Sequence, residues 1–127
     1  MADFKKLDVF HKAHGLALAT IRVSAGLRGY VGIGIRSQMV RAALSVPTNI
    51  VEGSTRASDR EYARFINIAI GSLSELEYHF IVSNDLKMMK QSDFESLNGQ
   101  LESVRKMLTS FHRRLKSSSK AAPAESR

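Results

Sequence analysis

Histidines, carboxylates and a glycine cluster are the residues of this sequence whose types and spacing could do chemistry. His11 and His14 stand three apart, with Asp8 three residues before His11. On a helix that spacing approximates the Glu-x-x-His pairs with which helical bundles hold two iron ions. No Glu-x-x-His occurs in the chain, and histidines near a helix start need no metal to explain them, so no metal ligand is assigned. His79 and His112 have no comparable neighbours. Glu75 and Glu77 suggest a carboxylate pair for acid/base work, but residues two apart on a helix point in different directions. Glu75, beside Leu76, is expected on the core side, in a buried hydrogen bond or an ion pair with an arginine. The run Gly29-Tyr30-Val31-Gly32-Ile33-Gly34 invites a phosphate-loop reading. It lacks the Gly-Lys-Ser/Thr ending that handles phosphate and magnesium, and it reads as a flexible turn. With no cysteine in the chain, disulfides, thiolate metal sites and cysteine nucleophiles are excluded. The expectation is a protein that is not an enzyme, with no catalytic residue, cofactor or metal.

The elements that would position any site are helical. The chain has 127 residues, 43% hydrophobic and 24% charged, the profile of one globular domain with neither a disordered body nor a membrane span. Its opening, MADFKKLDVFHKAH, has no apolar signal core, and a cytoplasmic protein is expected. Four stretches carry apolar residues at steps of three and four. The first is Phe10, Ala13, Ala17, Ile21, Ser24 and Leu27, predicting a helix from about Asp8 to Leu27. The second is Ile35, Met39, Ala42, Ala43, Val46 and Ile50, with Gly53 beyond it as a left-handed cap. Pro47 lies inside that stripe and predicts one helix kinked at Pro47, with a break into two as the alternative. The third is Tyr62, Ile66, Ala69, Leu73, Leu76 and Phe80, entered through the box Ser58-Asp59-Arg60-Glu61 and reaching about Asp85. The fourth is Phe94, Leu97, Leu101, Val104, Leu108, Phe111 and Leu115, entered through Ser92-Asp93-Phe94-Glu95. From Ser117 onward, SSSKAAPAESR shows no apolar period and is expected to fray.

These stretches predict an all-α, antiparallel up-down-up-down four-helix bundle over residues 1–116 and a flexible C-terminal tail over 117–127. Leu16, Leu18, Val23, Phe65, Ile68 and Ile70 lie off the main stripes, so part of that apolar surface is expected to meet another copy of the chain.

The remaining signal is charge. Nineteen Lys and Arg against twelve Asp and Glu give +7, which favours anionic partners. Arg36, Arg41, Arg56, Arg60 and Arg64 follow the second helix into the third, expected around one end of the bundle. Arg105, Lys106, Arg113 and Arg114 cluster on the fourth. Arginine suits bidentate phosphate contacts, so these nine residues are the candidate nucleic-acid contacts. A solvated face with i,i+4 ion pairs is the competing account of the same residues.

The run from Gln38-Met39-Val40-Arg41 through Ser45-Val46-Pro47-Thr48-Asn49 to Glu52-Gly53, then Arg56, Arg64-Phe65 and Ile68 to Glu77, resembles the four-helix-bundle family of 23S rRNA intervening-sequence proteins. The opening Phe4-Lys5-Lys6-Leu7-Asp8-Val9-Phe10 matches the family's usual start, and the likeness extends from about Phe4 to Leu115. The fold is also similar to the accessory variability protein of diversity-generating retroelements, a basic pentameric barrel that binds nucleic acid and partners a reverse transcriptase. The resemblance implies a homopentamer with RNA or DNA association, and a reverse transcriptase or another protein as partner. One departure stands out: relatives usually carry a proline and an acidic residue in the first interhelical loop, which here reads Arg28-Gly29-Tyr30-Val31-Gly32-Ile33-Gly34. Within the motif, Ala42, Ala43, Ser45, Gly71 and Ser72 are expected to let the second and third helices approach closely. Asn49 and Glu52 are expected to cap backbone or pair with arginine. Gly53, Gly71, Ser72 and Glu75 complete the set of structural motif residues, and Gly71→Leu is expected to disrupt folding or assembly. Two functions stay open: a nonenzymatic oligomer that binds structured RNA or DNA by backbone contacts, and a protein-interaction scaffold with no direct nucleic-acid role.

Overall fold

The computed structural model describes residues 3–125, with side chains described through Ser119. After a short 3-10 turn, Phe4–Lys6, come four helices: α1 Asp8–Ser24, α2 Gly29–Ser54, α3 Asp59–Asp85 and α4 Gln91–Glu125. No strand occurs among the described residues. Each helix packs on the next and α4 closes back onto α1, while the diagonal pairs stay apart. This is the four-helix bundle expected from the periodicity. The short connections reverse the chain each time, so the start of α1, the end of α2, the start of α3 and the end of α4 share one end of the bundle.

The third stripe is the most faithful. Tyr62, Ile66, Ala69, Leu73, Leu76 and Phe80 are all buried, and the Glu61 amide donates to the Ser58 hydroxyl at 3.2 Å, as the box predicts. The fourth stripe holds too, but α4 begins one residue ahead of Ser92. The Phe94 amide bonds the Lys90 carbonyl at 3.0 Å, and Gln91 rather than Ser92 reaches Glu95, at 3.2 Å.

α4 also runs past Leu115, and the segment expected to fray from Ser117 is helical to Glu125. Residues 126 and 127, the end of that expected tail, lie outside the described residues. Ser118 donates to the Asp59 carboxylate at 2.5 Å, tying this extension to the first turn of α3. The extension thus carries a cross-helix hydrogen bond where the apolar stripe has ended.

α1 differs in rotation. Ile21 is 37% exposed, whereas Leu16 and Thr20 are fully buried. The Thr20 hydroxyl donates to the Leu16 carbonyl at 2.8 Å, so a polar residue can face the core without an unmet group. Leu16, read above as off-stripe, is one of the largest fully buried side chains, and Phe65 is buried as well. Of the off-stripe residues, Ile68 is the one left largely exposed, at 44%.

α2 corrects two expectations about glycine. Gly29 to Gly34 is the first turn and a half of α2, not a loop before it. Gly29 supplies the reversal with φ of 76°, and the Leu27 backbone approaches Gly32 so closely that an added Cβ would lie 3.2 Å from a carbonyl carbon. Gly53 does not cap α2 in a left-handed conformation. It is buried within the helix, where an added Cβ would lie 2.6 Å from the Tyr62 ring and 3.0 Å from the Phe65 Cβ. Pro47 is buried inside α2, which runs through it unbroken to Ser54, one helix and not two.

Candidate nucleic-acid interface

The topology sorts the basic residues by end. Arg56 lies in the α2–α3 turn, Arg60 and Arg64 open α3, and Arg113 and Arg114 lie late in α4, all toward the same end. Arg36 does not join them. It sits in the first third of α2, about 30 Å along the helix from Arg56, so the expected cluster of five around one end is a cluster of three. Arg41 lies midway along α2 in a groove whose lining includes Glu75, so a carboxylate offsets part of its field.

Local contacts divide the residues further. Arg105 is engaged across the bundle: its Nη2 donates to Glu77 Oε1 at 2.8 Å and its Nη1 to Glu102. The hydrogen bond to Glu77 holds the guanidinium firmly in its charged form, against the opposing effect of burial. Two carboxylates thus neutralise Arg105 within the fold. The Arg56 guanidinium lies 4.6 Å from the Phe65 ring centroid, with its Nε buried, and Arg64 approaches the same ring at 5.2 Å. Arg64 is also 3.8 Å from Glu61, a largely exposed pair that contributes little to stability. Arg114 stacks 5.6 Å from the Phe111 ring and donates to the Ser110 hydroxyl at 3.1 Å. Lys106 and Arg114 line a groove between α1 and α4 together with Lys6 and Asp8.

A second groove, of about 550 Å³, runs between the first half of α3 and the last turns of α4. Arg60, Arg64 and Asn67 form one wall; His112, Lys116 and Ser119 form the other. His112, Lys116, Asn67 and Ser119 escaped the sequence-based set because no apolar period marks their register. The available signal was the matching i,i+4 spacing of Arg60 with Arg64 and of His112 with Lys116.

The motif residues have structural roles. Ser45 and Ser72 hydroxyls meet at 2.8 Å across the α2–α3 seam, and Asn49 Nδ2 donates to the Ser45 carbonyl at 2.8 Å and to its hydroxyl at 3.0 Å. Asn49 thus bonds backbone as expected. The Glu52 side chain is exposed and has no ion pair among the described residues. Glu75 is not on the core side: its carboxylate is half-exposed and meets His79 at 3.3 Å. Of Glu75 and Glu77, it is Glu77 that pairs with an arginine. Gly71 is exposed with open space over it, so close α2–α3 packing does not require it.

Among the described residues, no three His, Asp or Glu side chains converge as metal ligands. His11 Nε2 donates to the Lys5 carbonyl at 2.6 Å, and His14 stacks on Phe10 with centroids 5.9 Å apart. Nor is any described helix long and apolar enough to cross a membrane.

With the geometry in place, the model of one family, 23S rRNA-intervening sequence protein, matches residues 5–110. The chain belongs to the 23S rRNA-intervening sequence protein family. A crystal structure of a protein of unknown function from the S23 ribosomal protein family, from Bacteroides thetaiotaomicron, superposes with a TM-score of 0.75. It is 21% identical and covers 82% of this chain and 97% of its own, a likeness of fold. No curated protein matches significantly. For this member of the 23S rRNA-intervening sequence family, the match stops at residue 110, so the α4 wall of the second groove lies beyond the shared segment.

Proposed function

We propose that this chain is a nonenzymatic, self-associating bundle that acts in the cytoplasm and binds structured RNA or DNA by its phosphate backbone. The observation that carries the proposal is the gathering of Arg60, Arg64, Arg113 and Arg114 toward one end, with ion pairing among them, within the described residues, limited to the weak Arg64–Glu61 contact. Acids share that end without outnumbering the cations: Asp59 accepts the Ser118 hydroxyl, Glu61 faces Arg64 and Asp8 lies in the α1–α4 groove, while Glu77 and Glu102 are spent on Arg105. Backbone contact rather than base reading fits this surface. The well-exposed aromatics, Tyr30 and Tyr78, lie on α2 and α3 away from the arginines, so no stacking platform accompanies the charge.

The test is binding of nuclease-treated protein to a labelled RNA hairpin and to duplex DNA across a salt series. Log affinity is expected to fall linearly with log salt, by about 0.9 per phosphate neutralised on a duplex. Absence of binding at low salt overturns the proposal and leaves the scaffold role.

Self-association follows from where the apolar surface lies. Tyr30, Val31, Ile33, Leu44, Ile68, Tyr78 and Ile81, most of the exposed large hydrophobics among the described residues, belong to α2 and α3. Between Leu44 and Ile68 the surface is low, with Gly71 and Ser72, which suits close approach of a helix from a second copy. Five copies, the number the family resemblance implies, would place five basic ends on one particle. Leu44→Asp with Ile68→Asp is expected to reduce the light-scattering mass to that of one 14.1 kDa chain. A wild-type protein already at that mass, or a double variant that keeps the larger one, counts against this face.

A further inference from the structure

The three grooves that hold arginine differ in their acids. The α2–α3 groove sets Glu75 with Arg41, and the α1–α4 groove sets Asp8 with Lys106 and Arg114. Among the described residues, the α3–α4 groove has no carboxylate in its lining. The two acids nearest in sequence to its α3 wall are engaged: Asp59 accepts the Ser118 hydroxyl at 2.5 Å, and Glu61 faces Arg64 at 3.8 Å.

We infer that the α3–α4 groove seats one phosphodiester strand of the bound nucleic acid, held between Arg60 and Arg64 on one side and His112 and Lys116 on the other. This inference rests on the backbone-binding function proposed above and deepens it by placing the contact. Each wall presents two hydrogen-bond donors one helical turn apart, so each can follow successive phosphates along a strand. Asn67 and Ser119 add neutral donors on the two walls. Glu61 offsets only part of this charge, and the surplus of Arg60, Arg64 and Lys116 favours a polyanion here over a single protein carboxylate, because several phosphates in series meet several cations at once. The α4 extension past Leu115 acquires a purpose: it carries Lys116 and Ser119, and Ser118 anchors it to α3.

The test compares full-length wild type with Arg60→Glu, Lys116→Glu and His112→Gln, using anisotropy of a labelled RNA hairpin at about 0.1 M salt. Arg60 and Lys116 are exposed, so helicity by circular dichroism should be unchanged. Each charge reversal is expected to weaken binding about tenfold and to flatten the salt slope by about one unit. His112→Gln is expected to produce a smaller loss, and Arg36→Glu, at the far end, less than about twofold. Inorganic tripolyphosphate as competitor separates the sources: displacement of RNA only at large excess fits a strand seat, while equal potency would mark a free-phosphate site and overturn the assignment. Wild-type binding left intact by both reversals also overturns it, without touching the backbone-binding proposal. A wild type that binds neither the RNA hairpin nor duplex DNA removes that proposal and this inference together. Should one reversal fail to fold, the other decides.

Discussion

Phe80→Ala is expected to lower stability by about 3–5 kcal/mol, a loss on the order of 10–20 °C in melting temperature for a domain this size. Phe80 is the largest fully buried side chain among the described residues, with no exposed surface. It closes the apolar stripe of α3 and belongs to the single core cluster that also holds Leu16, Met39 and Leu97. Truncation removes the transfer free energy of the ring and leaves a void that helices on several sides cannot collapse into together. Phe80→Leu, which keeps most of the volume, should lose far less. Urea unfolding of both variants measures the difference, and a midpoint for Phe80→Ala close to that of wild type would show that the ring is not part of the core.

Gly53→Ala and Gly71→Ala should move stability in opposite directions, although both place alanine in a helix interior. Alanine is favoured over glycine by about 1 kcal/mol on helix propensity alone. At Gly71 nothing lies within 4 Å of the added Cβ, so the propensity gain stands and the variant should be stabilised by about 0.5–1 kcal/mol. At Gly53 the Cβ would sit 2.6 Å from Tyr62 Cδ1 and 3.0 Å from both Phe65 Cβ and Tyr62 Cε1. The Tyr62 ring is buried with its edge contact to Phe111 at 5.1 Å, and the Phe65 Cβ is fixed to backbone, so neither neighbour can yield cheaply. Overpacking of this kind costs about 1–3 kcal/mol and sometimes more, which exceeds the propensity gain. Thermal melts of the two variants beside wild type decide the matter; a stabilised Gly53→Ala would show that α2 and α3 can part there without loss. The same geometry revises the expectation for Gly71→Leu. Folding should survive it, and any effect belongs to assembly.

What this sequence determined by itself is the number, order and approximate extent of the helices and most of their buried positions. The reason is local: a helix buries residues at steps of three and four, and a serine placed before an acidic turn marks its start. Tyr62 to Phe80 and Leu97 to Leu115 could be assigned on that basis because each stripe is continuous and flanked by polar residues. Rotation by one position is harder to see. Thr20 and Ile21 compete for the core, and Thr20 goes in and Ile21 out, a burial that the Leu16 carbonyl permits by satisfying the threonine hydroxyl.

The family motif was legible in the string, but the tasks of its members were not. Gly53 reads as a cap and is a contact; Glu75 reads as a buried partner for arginine and pairs with His79, while Glu77 takes Arg105. Whether a charge is neutralised depends on which side chain the neighbouring helix brings opposite it, and that neighbour is far away in the chain: Arg105 and Glu77 are separated by 28 residues, Ser118 and Asp59 by 59. Tertiary structure alone therefore decided which arginines pair with carboxylates, which basic residues gather at one end of the bundle, and that an extension with no apolar period contributes to a groove lined by Arg60, Arg64 and Lys116.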